Sequence, residues 1–313
     1  MRRMQPAIER GSTTHAGPRA RKRLPPWIRV RVPASGSLSA VAALLAEAQL
    51  HTVCQSADCP NAAECFGRGT ATFMILGNVC TRGCRFCAVT SGTPGPADPD
   101  EARRVAEAAQ RLGLTHVVIT SVTRDDLPDG GAGAFAAAIR ALRARVPDAT
   151  VEVLVPDFGG AATAAATVLD ARPDVFNHNL ETVRRLQPRI RPDAGCDRSL
   201  GVLRYAADWS PRPLIKSGLM VGLGETDAEL EEALCDLRAA GCDLLTLGQY
   251  LAPSRRHMPV ARFVTPEQFD LYRRRALALG FAAVAAGPLV RSSYRAGVVL
   301  REAREGATRG GLA

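Results

Sequence analysis

Between about residues 71 and 280 the chain alternates short apolar runs with alanine-rich stretches of helical period. This constrains the fold more than any other feature, because parallel strands need long crossovers and strand–helix alternation supplies them. ATFMILG, HVVITSV, TVEVLVP, DVFNHNL, PLIKSGLMVG and LLTLGQYL are six strand candidates. Helical stretches lie near 100–112, 132–145, 161–171, 198–208 and 227–240, with one near 266–279 after the last strand. Six βα units predict an α/β fold, as a partial (β/α)6 barrel or an open parallel sheet, with its chemistry at the strand C-terminal ends. The 313 residues suffice for one such domain. No uncharged stretch exceeds 15 residues, the length of Ala276 to Val290, which is broken by Gly280, Gly287 and Pro288, short of the roughly 18 that a membrane span needs.

Nine cysteines are present, and six fall within the 34 residues from Cys54 to Cys87. A disulfide framework fits poorly: the count is odd, no apolar signal sequence precedes it, and the length allows a full core. Cys80-Thr-Arg-Gly-Cys84-Arg-Phe-Cys87 follows the first strand candidate, where a parallel barrel places its chemistry. Zinc usually takes four ligands in paired form. Three thiolates at this spacing can instead hold three irons of a [4Fe-4S] cluster and leave the fourth open to a small molecule, with structural zinc as the alternative. Cys54, Cys59 and Cys65 form a second group of three, again without a nearby fourth, which implies a second cluster.

The CxxxCxxC motif, with Phe86 before its third cysteine, resembles the signature of the radical S-adenosylmethionine (SAM) superfamily. CxxxxCxxxxxC just upstream, with ECFGRGTATFMILG, VTRDDLPDGGA, FNHNLETV, RPDAG, SGLMVGLGE, LGQYLAPS and GPLVRSSY, resembles the lipoyl synthase family over roughly residues 25 to 300. The resemblance implies a six-unit partial barrel with two [4Fe-4S] clusters. Cys80, Cys84 and Cys87 would hold the one whose open iron chelates SAM, and an electron from it splits SAM to a 5′-deoxyadenosyl radical. Cys54, Cys59 and Cys65 would hold the auxiliary cluster, with a serine oxygen of RSSY on its fourth iron: Ser293, or alternatively Ser292, with Cys196 in reserve. The implied reaction inserts two sulfur atoms, taken from the auxiliary cluster, at C6 and C8 of a protein-bound octanoyl-lysine, at the cost of two SAM molecules. Implied partners are octanoylated lipoyl-carrier proteins (glycine cleavage H protein or 2-oxo acid dehydrogenase E2 lipoyl domains), an electron donor and an iron–sulfur carrier. Another radical SAM sulfur-inserting or methylthiolating reaction is the alternative enzyme; a colourless zinc or redox module is the alternative outside catalysis.

Further polar groups sit at the strand ends. Gly130 and Gly131 of DDLPDGG either form a plain turn or let backbone N–H groups approach SAM's methionine end, as the resemblance implies. Alternation puts Asn177, Asn179 and Glu181 on one face and His178 and Leu180 on the other, so Asn179 and Glu181 could bond ribose hydroxyls, while His178 reads as a satisfied core residue. In GLMVGLGE, Gly222 either ends a strand or admits the adenine. Lys216, one of two lysines against 38 arginines, is either a chance survivor or a cofactor contact. Cys196, Cys235 and Cys242 read as small buried apolar residues in a loop, a helix and a helix end.

The net charge of +9 sits mostly in a tail: residues 1–31 hold nine Lys/Arg against Glu9, leaving 31 basic and 30 acidic side chains over the other 282 residues. Neither a nucleic-acid nor a membrane partner is expected of so balanced a body. The tail reads as a solvated arm, or secondarily as an organellar transit peptide. The expected organisation is a basic tail (1–26), an extension bearing the auxiliary cysteines (27–70), the partial barrel (71–280) and a C-terminal extension with RSSY and a flexible end (281–313). Low-potential clusters need a reducing interior, so the expected location is cytoplasmic, or alternatively an organellar matrix.

Overall fold

The structure, a computed structural model, describes residues 24–29, 43–53, 59, 61 and 72–310. Most of the basic tail, Cys54 and Cys65 lie outside the described residues. The strands are β1 (His51–Thr52), β2 (Thr72–Ile75), β3 (Val79–Cys80), β4 (Thr90–Ser91), β5 (His116–Ser121), β6 (Thr150–Leu154), β7 (Val175–Asn177), β8 (Leu214–Val221), β9 (Leu244–Gln249) and β10 (Ala283–Gly287). The helices are α1 (Glu101–Arg111), α2 (Ala132–Arg145), α3 (Ala162–Asp170), α4 (Gln187–Ile190), α5 (Cys196–Ala207), α6 (Asp227–Ala239), α7 (Pro266–Ala278) and α8 (Ala296–Gly310). One eight-stranded sheet runs β1-β2-β5-β6-β7-β8-β9-β10. Only β1 is antiparallel, pairing His51 with Met74 and Thr52 with Phe73. Among the described residues no ladder joins β1 to β10, so the barrel stays open along one seam.

All six expected strands form, each followed by its helical crossover. A seventh parallel strand, β10, adds to β9 with Ala283 beside Leu244 and Gly287 beside Gly248, so the sheet continues into the segment expected as a C-terminal extension. The apolar outer faces of the strands and the inner stripes of α1, α2, α3, α5, α6 and α7 make one continuous core, with Phe135, Ile139, Phe176, Leu203, Leu237 and Phe269 fully buried. The last helix has a separate task. Val299, Leu300 and Ala303 of α8 pack on Val175, Leu244 and Ala283, the first residues of β7, β9 and β10, with Leu214 at the start of β8 beside them. Thus α8 plugs the N-terminal end of the barrel and leaves the C-terminal end open.

Inward-facing side chains at register-matched positions fill the interior in layers. The lower layer is polar: Lys216 Nζ bonds Glu152 Oε1 at 2.7 Å, and Asn177 Nδ2 donates to the same oxygen at 3.2 Å. Burial alone would raise the Glu152 carboxyl, but the Lys216 ammonium and His116 hold it down at about 2. Lys216 therefore has a partner inside the barrel. Its fully buried ammonium is committed to a barrel ion pair one layer below the open end.

Candidate active site

The CxxxCxxC segment leaves β2 through a sharp turn in which Leu76 (φ 67°) and Gly77 (φ 86°) are left-handed. That strain at a non-glycine residue is held by bonds: Leu76 N–H donates to Glu101 Oε2 at 2.7 Å and Leu76 O accepts from Arg124. The short β3–β4 ladder pairs Cys80 with Ser91. Arg82, nearly buried, reaches Asp125 with two nitrogens (2.8 and 2.7 Å) and Asp157 with one (2.8 Å), tying the loop to the segments that follow β5 and β6. Burial opposes ionisation of Asp157, but the hydrogen bond and charge of Arg82 prevail and hold it at about 2. Downstream, Arg85 N–H donates to Ile190 O, Met258 N–H to Arg85 O, and His257 Nε2 lies 2.9 Å from Cys87 O.

The three thiols lie close enough to influence one another's ionisation. Cys80 Sγ accepts N–H groups of Arg82 (3.5 Å) and Thr123 (3.3 Å). Burial pushes the Cys84 thiol up, and pushes Cys87 up to about 12, with the neighbouring thiols adding to the effect. Such thiols ionise only with a metal, whose binding releases their protons. Among the described residues no three His, Cys, Asp or Glu side chains converge as the ligands of one ion would. The donor set itself suits a [4Fe-4S] cluster, in which each of three thiolates takes a different iron, where zinc wants a fourth ligand.

Above the Lys216–Glu152 layer, a cavity of about 410 Å³ opens at the strand C-terminal ends. Phe86, Cys87 and Ala88 line it from the cysteine loop, and Leu251 to Pro253 from the segment after β9. Asn179, Glu181, Gly218 and Thr246 come from the barrel interior; Cys59 and Asn61 approach from the N-terminal side and Arg291 to Tyr294 from the C-terminal side. Asn61 Nδ2 donates to Leu289 O at 2.6 Å, linking the two chain ends across 228 residues. Asn179 Nδ2 donates to both Glu181 Oε1 (3.0 Å) and Ser292 Oγ (2.6 Å), and its buried Oδ1 has no partner among the described residues. An orphaned buried acceptor on a cavity wall calls for a donor from a bound molecule. Glu181 holds a left-handed φ of 68°, and loss of solvation raises its carboxyl despite Arg191. Gly218 keeps the throat open: a Cβ there would stand 2.7 Å from Thr246 Oγ1, 2.8 Å from Asn179 Oδ1 and 3.2 Å from Ser292 Oγ.

Of the expected site residues, Cys59, Cys87, Phe86, Asn179, Glu181, Ser292 and Ser293 line this cavity. Cys80 and Cys84 stand beside Cys87 on its loop. Ser293 Oγ has no hydrogen-bond partner among the described residues, whereas Ser292 Oγ is held by Asn179. Gly130 and Gly131 turn toward Phe158 and Leu76, and Gly222 packs on Gln249 and the Arg262 carbonyl, so none of the three lines the cavity. His178 is buried on the opposite face, between Val155 O (2.8 Å) and Ser199 Oγ (3.0 Å), and burial lowers it to about 4, leaving it neutral. Cys196 is not in a loop but opens α5, remote from the cavity; Cys235 is exposed rather than buried, and Cys242 is buried. Sequence reasoning gave no role to Arg82, Asp157, Arg191, Gly218 or Thr246. Arg191 donates to the carbonyls of Asn179 and Leu180 and so braces the strand end that carries Asn179 and Glu181. Its position in RPDAG was the only signal available.

The profile of the Radical SAM superfamily matches residues 74–237. Lipoyl synthase of Caldanaerobacter subterraneus subsp. tengcongensis is 58% identical over 282 residues, covering 90% of this chain and 99% of that protein. Lipoyl synthase of Thermus thermophilus is 56% identical, covering 90% and 88%. That of Rubrobacter xylanophilus is 54% identical, covering 92% and 90%. Among solved structures, HydG, a maturase of the [FeFe]-hydrogenase, superposes with a TM-score of 0.51 at 13% identity, over 74% of this chain and 62% of that one. At that identity the likeness speaks for the fold alone, and the fold it speaks for is the open parallel barrel described above. With this sequence similarity over nine-tenths of its length, the chain belongs to the lipoyl synthase family of the radical SAM superfamily.

Proposed function

We propose that the chain completes the lipoyl group, inserting sulfur at C6 and C8 of an octanoyl chain carried on a lysine of a lipoyl-carrier protein, either glycine cleavage H protein or a 2-oxo acid dehydrogenase E2 domain. The observation that carries this reading is convergence. Cys87 and Phe86 of the CxxxCxxC loop, Cys59 of the N-terminal extension and Ser292 and Ser293 after β10 line one cavity, although the two serines are more than 200 residues from the cysteines in sequence. When bound, SAM and two [4Fe-4S] clusters supply a radical able to break unactivated C–H bonds and sulfide to replace the hydrogens.

The chain's own residues provide placement. Cys80, Cys84 and Cys87 hold the SAM-binding cluster, and the Arg82 clamp fixes their loop against Asp125 and Asp157. Asn179 and Glu181 present polar atoms to SAM beside Phe86, with Asn179 Oδ1 awaiting a donor; Gly130, Gly131 and Gly222 shape the backbone behind them. Cys54, Cys59 and Cys65, in the extension over 27–70, hold the auxiliary cluster. Ser293, whose hydroxyl has no partner among the described residues, gives the oxygen ligand, and Ser292 is the second choice because Asn179 already occupies one of its lone pairs. Oxygen binds iron more weakly than thiolate does, which suits a site that must give up its sulfide. The apolar lining of Val53, Leu154, Met220 and Val290 suits an acyl chain and excludes water. An electron donor and an iron–sulfur carrier serve the clusters, in the cytoplasm or an organellar matrix. No helix among the described residues is long and apolar enough to cross a membrane.

The test is separation of roles. Cys59→Ala is expected to keep formation of 5′-deoxyadenosine from SAM and lose sulfur insertion, whereas Cys84→Ala loses both. Equal loss of both reactions in Cys59→Ala contradicts the division into two sites.

A further inference from the structure

A collar of four cations adjoins the segments that line the cavity. Arg85 belongs to the cysteine loop, Arg189 to α4, and Arg255 and Arg256 to the turn that follows the cavity-lining residues Leu251 to Pro253. All four are exposed, and among the described residues none has an acidic partner. Elsewhere on the surface Arg103, Arg111, Arg184, Arg185 and Arg275 sit on carboxylates. Backbone bonds hold the collar's segments together: Arg85 N–H to Ile190 O at 2.9 Å, and Met258 N–H to Arg85 O at 3.0 Å. The turn itself is fixed by Ser254, whose Oγ accepts Arg256 N–H (3.2 Å) and meets His257 Nδ1 (2.8 Å), while His257 Nε2 reaches Cys87 O. The arginines are thus presented on a rigid rim beside the entrance. Outside the tail the chain is nearly neutral, so this is a local concentration rather than a share of a general excess.

We propose that this arginine rim, with Arg255 and Arg256 at its centre, is the docking surface for the carrier protein, reading carboxylates that flank the acylated lysine while the acyl chain enters the cavity. The inference rests on the function proposed above and adds to it the surface and the chemistry of recognition. An acyl-lysine on a folded domain is too short to reach a buried cavity unless its surroundings come close to the mouth, where unpaired guanidiniums meet them. Guanidiniums suit this because they bind carboxylates through two parallel hydrogen bonds. Charges at the edge of an interface act mainly on the association rate and on its salt dependence.

The experiment measures binding of an octanoylated lipoyl carrier domain, with carboxylates flanking its lysine, to the cluster-loaded protein at low and high salt. In parallel, sulfur insertion into a neutral octanoyl-lysyl tripeptide is followed. The Arg255→Glu/Arg256→Glu variant is expected to bind the domain at least about tenfold more weakly at low salt, with the gap narrowing at high salt. Its turnover of the tripeptide should stay unchanged. Arg204→Glu/Arg274→Glu, an equal charge change on α5 and α7, should bind the domain like the wild type. Equal carrier binding by the rim variant and wild type overturns the proposal, as does a matching loss in the control variant or with the tripeptide. The two readings fail separately: wild-type protein that puts no sulfur into the tripeptide refutes the lipoyl assignment and leaves the comparison of carrier binding standing.

Discussion

Gly218 and Lys216 are two residues apart on the inner face of β8, and the alternation of a strand gives them adjacent layers of the same barrel. In the upper layer a side chain is forbidden. A methyl group at Gly218 would press on Thr246, Asn179 and Ser292 together, so Gly218→Ala should leave the fold intact and displace the groups that position cofactor and substrate. A misplacement near 1 Å costs about a hundredfold in rate, and sulfur insertion is the assay; undiminished turnover with an unchanged melting temperature contradicts this view of the throat. In the lower layer a charge is required. Lys216→Met leaves Glu152 buried without its ammonium, and breaking a pair from one side in this way costs about 3–5 kcal/mol in denaturant unfolding. Removing both charges as Lys216→Met/Glu152→Leu should restore most of it; a single variant as stable as wild type shows that the pair contributes nothing.

The elements differ in how plainly they were written. The six expected strands are short runs rich in Val, Ile and Leu bounded by helical stretches, and all six form. β10 was not expected because its AVAAG carries little of the β-branched bulk that marks a buried strand; it is a strand because it pairs with β9. The role of α8 was equally hidden, since its Val299, Leu300 and Ala303 face the starts of β7, β9 and β10, an end of the barrel that exists only once the sheet has curled. The cysteine loop has a helix-free, glycine-containing sequence that signals a loop but not what holds it. The Arg82 clamp does that, and it can be read by acid titration. The Asp157 and Asp125 carboxyls are lowered in the folded chain, Asp157 to about 2, so their stabilisation is complete above the ordinary carboxylate range near pH 4 and lost as pH falls toward about 2. Melting temperatures of the metal-free chain should drop across that window, and Asp157→Asn should flatten the drop. An Asp157→Asn profile that superimposes on the wild type contradicts the clamp.

On the scale of the whole molecule, the site is a meeting of three regions that sequence places far apart. Cys80, Cys84 and Cys87 lie within one loop, so spacing alone exposed them. The approach of Cys59 to Ser292 and Ser293 has no local signal, because it depends on Cys59 and Asn61 meeting the stretch after β10 at the barrel's open end, where Asn61 bonds Leu289. Only the resemblance to a known family anticipated it. The contributions of Arg191, Thr246 and the arginine rim likewise depend on which side chains the closed sheet brings together, and residue types alone do not carry that. The most direct test of the account is mass spectrometry of an octanoyl-lysyl peptide after anaerobic incubation with the cluster-loaded chain, SAM and a strong reductant. The account predicts a product that retains the octanoyl chain and gains two sulfur atoms. Accumulation of 5′-deoxyadenosine with a peptide that gains no sulfur would contradict it.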